Sequence, residues 1–393
     1  MSKGTILYIG RFEMPDKDAS AHRVLSNGKL LRELGYHVVF FGWSNDFSRF
    51  RQEKVVKSNY EGFECYEKRA YASSLDRLKS IFDASEELKL IKKMPNLQMV
   101  IAYDFPSVAM GKIFRFCKRK HLLRIVDVTE WFGRGRKNLL TQLIRILDSG
   151  YRMRFVHKRA DGLIVISHYL ERYYSGMTTL KLPPLIDIQS EKWLPEQTQP
   201  HEGILLIYAG SPSATKERLD SSVNAVLSLP EKCEVVLAVV GITEADFRSM
   251  YDFQIDDPDR FAKRVRFLGR MEHRQVISLI KAADYSLIVR EQNRVTLAGF
   301  PTKFVESISC GTPVIATDSS DLSEYIGAYN CGRIVSFDNL KNDLEKILSL
   351  PGKPSACNDL FDYRRYAELM DEFIRKVKRN RNYGSVLEPK TQI

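Results

Sequence analysis

No apolar run in the sequence approaches the roughly 20 residues that a helix needs to cross a bilayer. The amino end, Met1-Ser2-Lys3-Gly4, passes straight into the strand-like Thr5-Ile6-Leu7-Tyr8-Ile9 instead of a signal peptide. Both absences point to a protein that stays in the cytoplasm. The six cysteines (Cys65, Cys117, Cys233, Cys310, Cys331 and Cys357) have no Cys-x-x-Cys spacing and no His beside them. That excludes a zinc module and a disulfide framework, and leaves buried thiols. No Asp-x-Asp triplet ends a plausible strand, and Asp256-Asp257-Pro258-Asp259 reads as a turn, so no metal site is expected. An aromatic-plus-glycine RNA pattern and a helix-turn-helix pattern are missing too, so nucleic acid is not an expected partner.

What is present suits two folded domains. A chain of 393 residues exceeds one ordinary core and fits two α/β domains of roughly 180 residues. Two domains imply a cleft. The composition, 44% hydrophobic and 28% charged, is that of a soluble globular protein. The net charge of +11 is concentrated: residues 111–160 hold 14 Lys and Arg against 3 Asp and Glu, which accounts for all of it. Lys118-Arg119-Lys120, Arg134-Gly135-Arg136-Lys137 and Arg152-Met153-Arg154 alternate there with Leu139, Leu140, Leu143, Ile144, Ile146 and Leu147. Such a mixture fits a helix lying on an anionic membrane surface. It fits equally a solvated basic helix face whose Leu and Ile enter the core.

Short apolar runs alternate with helical patterns through the first half, the mark of βαβ units and a parallel sheet. Strands are expected at Thr5–Ile9, His37–Phe41, Met99–Tyr103, Leu122–Val126 and Gly162–Ile166. A helix from Ala19 to Leu34 should stop at Gly35. The pattern lapses between Leu182 and Gly203, a stretch with four prolines, and restarts at Ile204–Ala209, Val235–Val240, Val265–Leu268, Tyr285–Val289 and Val314–Ala316. The expected organisation is a first domain over 1–190, a linker over 191–203, a second domain over 204–361, a helix over 362–380 and a frayed tail over 381–393. On the final helix, Tyr366, Leu369, Met370, Phe373 and Ile374 share a face.

In open α/β sheets ligands bind beyond the carboxyl ends of the strands. After Ile204–Ala209 comes Gly210-Ser211-Pro212-Ser213-Ala214-Thr215-Lys216, a turn with a cation near a helix start, which suits a diphosphate. After Val289 comes Arg290-Glu291-Gln292-Asn293-Arg294, in which Arg290 is a candidate cation or a partner of Glu291 or Asp284. Then Gly299-Phe300-Pro301-Thr302-Lys303-Phe304-Val305-Glu306 enters a helix whose first amides and Lys303 would meet an anion. Glu306, one turn on, could accept hydrogen bonds from a ribose, or Lys303 and Glu306 could form a surface pair.

The run from Gly299 to Ala316 resembles the donor-binding signature of the retaining glycosyltransferases of family 4, the group 1 type with the GT-B fold. The Gly210–Lys216 loop, Val265-Arg266-Phe267-Leu268-Gly269 and Ala282-Ala283-Asp284 match in order and spacing, so the resemblance covers most of the C-terminal half. In the N-terminal half it rests on Val126-Asp127-Val128-Thr129-Glu130-Trp131 and the loop before Ala19. It implies two facing Rossmann-like α/β domains around a central cleft, with the C-terminal helix crossing back to the first. It also implies that Lys216 and the Thr302-Lys303 helix start bind the diphosphate of a nucleotide-sugar, and that Glu306 holds the ribose. The family's Glu-x7-Glu pair is incomplete, since Ala298 precedes Glu306 by eight, and Ser211 stands where an Arg usually follows the loop glycine.

Transfer from a nucleotide-sugar requires fixed positive charge at the departing diphosphate. Lys216, Arg290 and Lys303 could supply it without metal or other cofactor. Asp127 and Glu130 are candidates to orient or deprotonate an acceptor, with Thr129 where the family often has a His, and His22 and Arg23 could also touch substrate. The expected acceptor is a glycan or a lipid-linked molecule, in bacterial surface polysaccharide synthesis at the inner face of the plasma membrane. An epimerase of the same fold and a lapsed, membrane-associated binding or scaffold subunit stay open as alternatives.

Overall fold

The computed structural model describes residues 2–15, 18–50, 53–71, 73–131, 139–194, 200–213 and 216–387. The basic Arg134-Gly135-Arg136-Lys137, most of the proline-rich part of the expected linker and the last six residues lie outside the described residues. The chain divides into two compact units, residues 1–186 with 362–393, and residues 187–361.

The first unit contains β1 (Thr5–Gly10), α1 (Ala19–Glu33), β2 (His37–Ser44), β3 (Val55–Tyr60), β4 (Phe63–Arg69), α2 (Ser74–Phe82), α3 (Ser85–Lys93), β5 (Leu97–Tyr103), α4 (Ser107–Arg119), β6 (Leu123–Val128), α5 (Leu139–Tyr151), β7 (Gly162–Val165), α6 (His168–Tyr173) and β8 (Thr179–Lys181). Its eight strands form one sheet in the order β3-β4-β2-β1-β5-β6-β7-β8, parallel except for the β3–β4 hairpin at one edge. Central strands in such a sheet are covered on both faces, which is why β1 is mostly apolar and every residue in it is buried. Asp18 caps α1 by accepting from the amide of Ala21 at 2.7 Å, and the helix ends ahead of Gly35 as its sequence implies.

The second unit contains β9 (Ile204–Ala209), α7 (Leu219–Leu227), β10 (Val235–Val240), α8 (Glu244–Tyr251), α9 (Pro258–Arg264), β11 (Val265–Gly269), α10 (His273–Ala282), β12 (Tyr285–Ile288), α11 (Arg294–Ala298), α12 (Thr302–Ser309), β13 (Val314–Thr317), α13 (Leu322–Tyr329), β14 (Gly332–Val335) and α14 (Leu340–Leu348). Its sheet is parallel throughout, in the order β11-β10-β9-β12-β13-β14. Asp257 accepts from the amide of Arg260 at 3.0 Å and so caps α9, a structural use for the acidic turn.

The last helix, α15 (Ala367–Leu387), belongs to the first unit and buries Met370, Phe373, Ile374 and Val377 in its core. Its expected apolar face is corrected at Leu369, which is 47% exposed, and residues 381–387, read from the sequence as tail, are helical. Gly162 on β7 permits the contact: a Cβ there would lie 2.6 Å from Val377 Cγ2. The cysteines are free thiols; Cys65, Cys117 and Cys331 are buried and the other three half-buried.

Strand β6 runs two residues further than its apolar run suggests, and this changes the meaning of Asp127. The carboxylate is enclosed and takes hydrogen bonds from Arg23 Nη2 at 2.7 Å, Tyr8 Oη at 2.5 Å and Asn27 Nδ2 at 3.1 Å. Arg23 also donates to the carbonyls of Leu182 and Pro183 at 3.1 and 3.2 Å. Asp127 is therefore corrected from an acceptor-orienting group to an internal tie between β1, α1 and β6, and Arg23 from a substrate contact to its counterion. Burial, and then Asp127, push the Tyr8 phenol well above its usual pKa, so it stays a donor. Removing one partner of a buried pair strands the other, so Asp127→Asn should cost about 3 kcal/mol of unfolding free energy in a urea titration.

Candidate functional site in the C-terminal unit

Strand β9 is followed by Gly210, whose φ is +129°. A Cβ at Gly210 would sit 2.5 Å from Lys303 Cε, so the glycine provides both the turn and the space for the lysine stem. Past it, the amides of Lys216 and Glu217 both donate to the carbonyl of Ser213 at 2.9 Å, a tight turn that sends Glu217 inward and leaves Lys216 half-buried. Ser211 is exposed beside this turn.

Helix α12 starts behind Pro301, with Phe304 anchored among Phe300, Tyr325 and Phe361. From its first turn Lys303 Nζ reaches Tyr208 Oη at 2.5 Å and Glu217 Oε2 at 2.6 Å. The other carboxylate oxygen of Glu217 accepts from Arg290 Nη2 at 3.0 Å. Arg290 is fixed at its backbone, where its amide donates to Thr317 Oγ1 at 2.8 Å. One carboxylate thus holds two cations at the carboxyl edge of the sheet, with Tyr208 Oη donating to Glu217 and accepting from Lys303. The Nε of Arg290 is buried and has no hydrogen-bond partner.

The cluster carries one more positive charge than negative, and the ionisation of its members reflects that. Burial opposes the charge on Lys303 and outweighs the help of Glu217; with Arg290 adding repulsion, its pKa is lowered to about 8. Burial alone would raise Glu217, but Lys303, then Arg290, and the hydrogen bonds to Lys303 and Tyr208 bring it down to about 2. Glu217 is a carboxylate at any physiological pH.

Gly210, Lys303 and Arg290 are brought together around Glu217. Thr302 stands at the start of the same helix, half-buried. The alternatives read for the neighbouring charges are corrected. Arg290 pairs with Glu217 rather than Glu291 or Asp284: Glu291 pairs with Arg218, while Asp284 pairs with Lys353 and accepts from the amide of Leu205. Glu306 pairs with His273 Nε2 at 3.1 Å rather than with Lys303. Gly299 serves the turn from α11 into α12, its amide donating to Val295 at 3.2 Å, and Ala298 is fully buried. Glu130 is half-buried in the N-terminal unit, where its charge acts on Arg145. Sequence reasoning missed Glu217, Tyr208 and His273. Only the adjacency of Glu217 to Lys216 marked any of them.

Residues 189–364 match the family model described as Glycosyl transferases group 1. The chain carries a group 1 glycosyl transferase domain. No curated protein matches the sequence. Among solved structures, this chain is similar to sucrose-phosphate synthase from Thermosynechococcus elongatus, at 17% identity and a TM-score of 0.67 over 96% of this chain and 100% of that one. It is similar to the E. coli trehalose-6-phosphate protein bound with UDP-2-fluoro glucose, at 11% identity, a TM-score of 0.66, and 95% and 99% of the two chains. It is also similar to WaaG, a glycosyltransferase involved in lipopolysaccharide biosynthesis, at 16% identity, a TM-score of 0.55, and 94% and 96% of the two chains. These likenesses establish the two-unit α/β fold of the GT-B glycosyltransferases.

Glu217→Gln should expose the balance of the cluster. With Lys303 and Arg290 buried and facing each other without their counterion, the loss should be about 3 kcal/mol at pH 7, measured by chemical denaturation. The pKa of Lys303 lies below its unfolded value of 10.5, so its contribution to stability rises as pH climbs through about 8. Without Glu217 the lysine sheds its proton at a lower pH than in the parent protein, so the deficit of the variant should shrink as pH rises toward about 8.

Proposed function

We propose that the protein is a metal-independent, retaining glycosyltransferase that moves a sugar from a nucleoside-diphosphate donor to a glycan or lipid-linked acceptor. The observation that carries this reading is the Lys303–Glu217–Arg290 cluster, where two cations share one counterion beside the amino end of α12, within the group 1 domain. A diphosphate leaving group would complete the charge balance, with the amides of Thr302 and Lys303 adding the field of the helix start. Lys216 lies on the same loop as Glu217 and is proposed as a further diphosphate contact, beside Gly210 and Ser211. Glu306, on α12 one turn past Lys303, is proposed to hold the ribose, exchanging its bond with His273 for one to the ligand.

In this mechanism the C1–O bond to the diphosphate breaks while the acceptor oxygen bonds to C1 on the same face. The acceptor proton passes to a departing diphosphate oxygen. Positive charge fixed before the reaction stabilises that departure at no reorganisation cost. No dedicated base is then required, which accords with the enclosure of Asp127. The proton on Lys303 is part of the site, so donor affinity depends on pH. Isothermal titration should give micromolar UDP or UDP-sugar binding that is insensitive to EDTA, is reduced at least tenfold by Lys303→Ala and Glu306→Ala, and weakens several-fold from pH 7 to pH 9. The pH effect should vanish in Lys303→Arg. Binding to none of UDP, GDP, ADP and dTDP by folded protein would overturn the donor assignment.

The acceptor is proposed to be presented at an anionic membrane, at the inner face of the plasma membrane, in bacterial surface polysaccharide synthesis. Of the aliphatic residues in the basic window, Leu143, Ile146 and Leu147 on α5 are 53, 39 and 63% exposed, and Phe155 beyond them is 55% exposed. Helix α2, which packs against α4 and α5, adds Leu75 at 70%, Leu78 at 42% and Phe82 at 52%. Exposed apolar side chains beside Lys and Arg suit the headgroup layer of an anionic bilayer. No helix among the described residues is long and apolar enough to cross one. Leu143→Ser with Leu147→Ser should lower sedimentation with phosphatidylglycerol vesicles roughly tenfold without changing UDP affinity.

A further inference from the structure

The first unit contains a half-open pocket at the carboxyl ends of β1, β2, β4 and β5, reached by Arg11, Trp43, Tyr71 and Asp104. Its remaining wall comes from α2 and α5 and the wider helical turn after α5, which contribute Ser80, Arg145, Asp148 and Arg152. Three guanidinium groups and two carboxylates therefore converge on one space. Both carboxylates are already engaged. Asp104 meets Arg152 at 2.6 Å, and Asp148 accepts from the amide of Ser107 at 2.9 Å, at the start of α4.

Trp43 forms the floor on which the rest is arranged. Its ring stands edge-on to Tyr71, with centroids 4.5 Å apart, and the Arg11 guanidinium lies 5.4 Å from its centroid. The indole Nε1 is buried and has no hydrogen-bond partner, although Trp43 is only 5% exposed. A buried N–H donor beside clustered arginines is a vacancy for an acceptor of hydrogen bonds, because leaving such a group unsatisfied costs free energy. The electrostatics agree. Burial, and the repulsion of Arg11 and Arg152, lower the pKa of Arg145 despite the opposing fields of Glu130 and Asp104.

We infer that this pocket is an anion subsite that takes a phosphate carried by the acceptor, held between Arg11, Arg145 and the Trp43 N–H. The inference rests on the glycosyltransferase reading and names the class of its acceptor: a phosphorylated molecule, either a free sugar phosphate or a lipid phosphate. A guanidinium presents paired donors to phosphate oxygens, which a lysine cannot do, and this accounts for a cluster built of arginine. The exposed apolar faces of α2 and α5 lie on the two helices that also wall this pocket, which favours the lipid source.

The test uses the full chain in a Lys303→Ala background, so that phosphate binding at the donor cluster does not contribute and the result stands whether or not UDP binds there. Inorganic phosphate and pyrophosphate are titrated against tryptophan fluorescence. Saturable binding is expected, weakened at least tenfold by Arg11→Ala and by Arg145→Ala, less by Arg145→Lys, and about threefold by Trp43→Phe. Circular dichroism and thermal midpoints show which variants are folded, and the Lys and Phe replacements keep the test decisive where an Ala variant is not. A preference for glucose 6-phosphate over glucose would assign a free sugar phosphate. Tighter association with zwitterionic vesicles carrying a long-chain prenyl phosphate, lost in Arg145→Ala, would assign the lipid. Absent saturation, or binding that all four substitutions leave unchanged, would overturn the inference.

Discussion

Glu217 holds Lys303 and Arg290 where each alone would be an uncompensated buried charge, and the shape of the C-terminal site follows from that constraint. The turn after β9 must direct the Glu217 side chain inward, Gly210 must lack a Cβ for the Lys303 stem to pass, and α12 must begin where its first turn meets both. Three segments far apart in sequence are thus located by one carboxylate. A buried ion pair often contributes little net stability, since desolvation cancels much of the attraction. Its effect here is to fix the positions of Lys303 and Arg290.

The buried charge at Asp127, in the N-terminal unit, is used in the opposite way. Around Asp127 the ions balance and the donors are engaged, with Arg23, Tyr8 and Asn27 closing a network that reaches the carbonyls after β8. That network holds secondary structure together. In the Lys303 cluster, by contrast, two cations share one carboxylate, and the Nε of Arg290 has no hydrogen-bond partner.

Much of this was legible in the sequence where burial is complete. The strand at Ile204–Ala209 and that at Val235–Val240 were readable to the residue, because a strand covered on both faces is a continuous apolar run. The β3–β4 hairpin was not, since Lys57, Asn59, Glu64 and Lys68 break its apolar pattern at the sheet edge, where one face meets water. Lys303, Arg290 and Gly210 were readable from their places after apolar runs. Glu217 was hidden because its importance depends on two residues 73 and 86 positions away. Asp127 shows the same limit from the other side: its position looked catalytic, and only the convergence of α1 and β1 on it reveals an enclosed ion.

The placement of α15 bears on how the chain is made. Tyr363, Met370, Phe373, Ile374 and Val377 complete a core whose other members lie before residue 187. During synthesis, residues 1–186 leave the ribosome first but lack those five side chains until the segment after residue 361 follows. The middle segment, residues 187–361, has all its strands as soon as it emerges. The first unit therefore closes after the second, and a nascent chain stalled or clipped ahead of Asp362 would carry one finished unit and one with its hydrophobic interior open to chaperones and proteases.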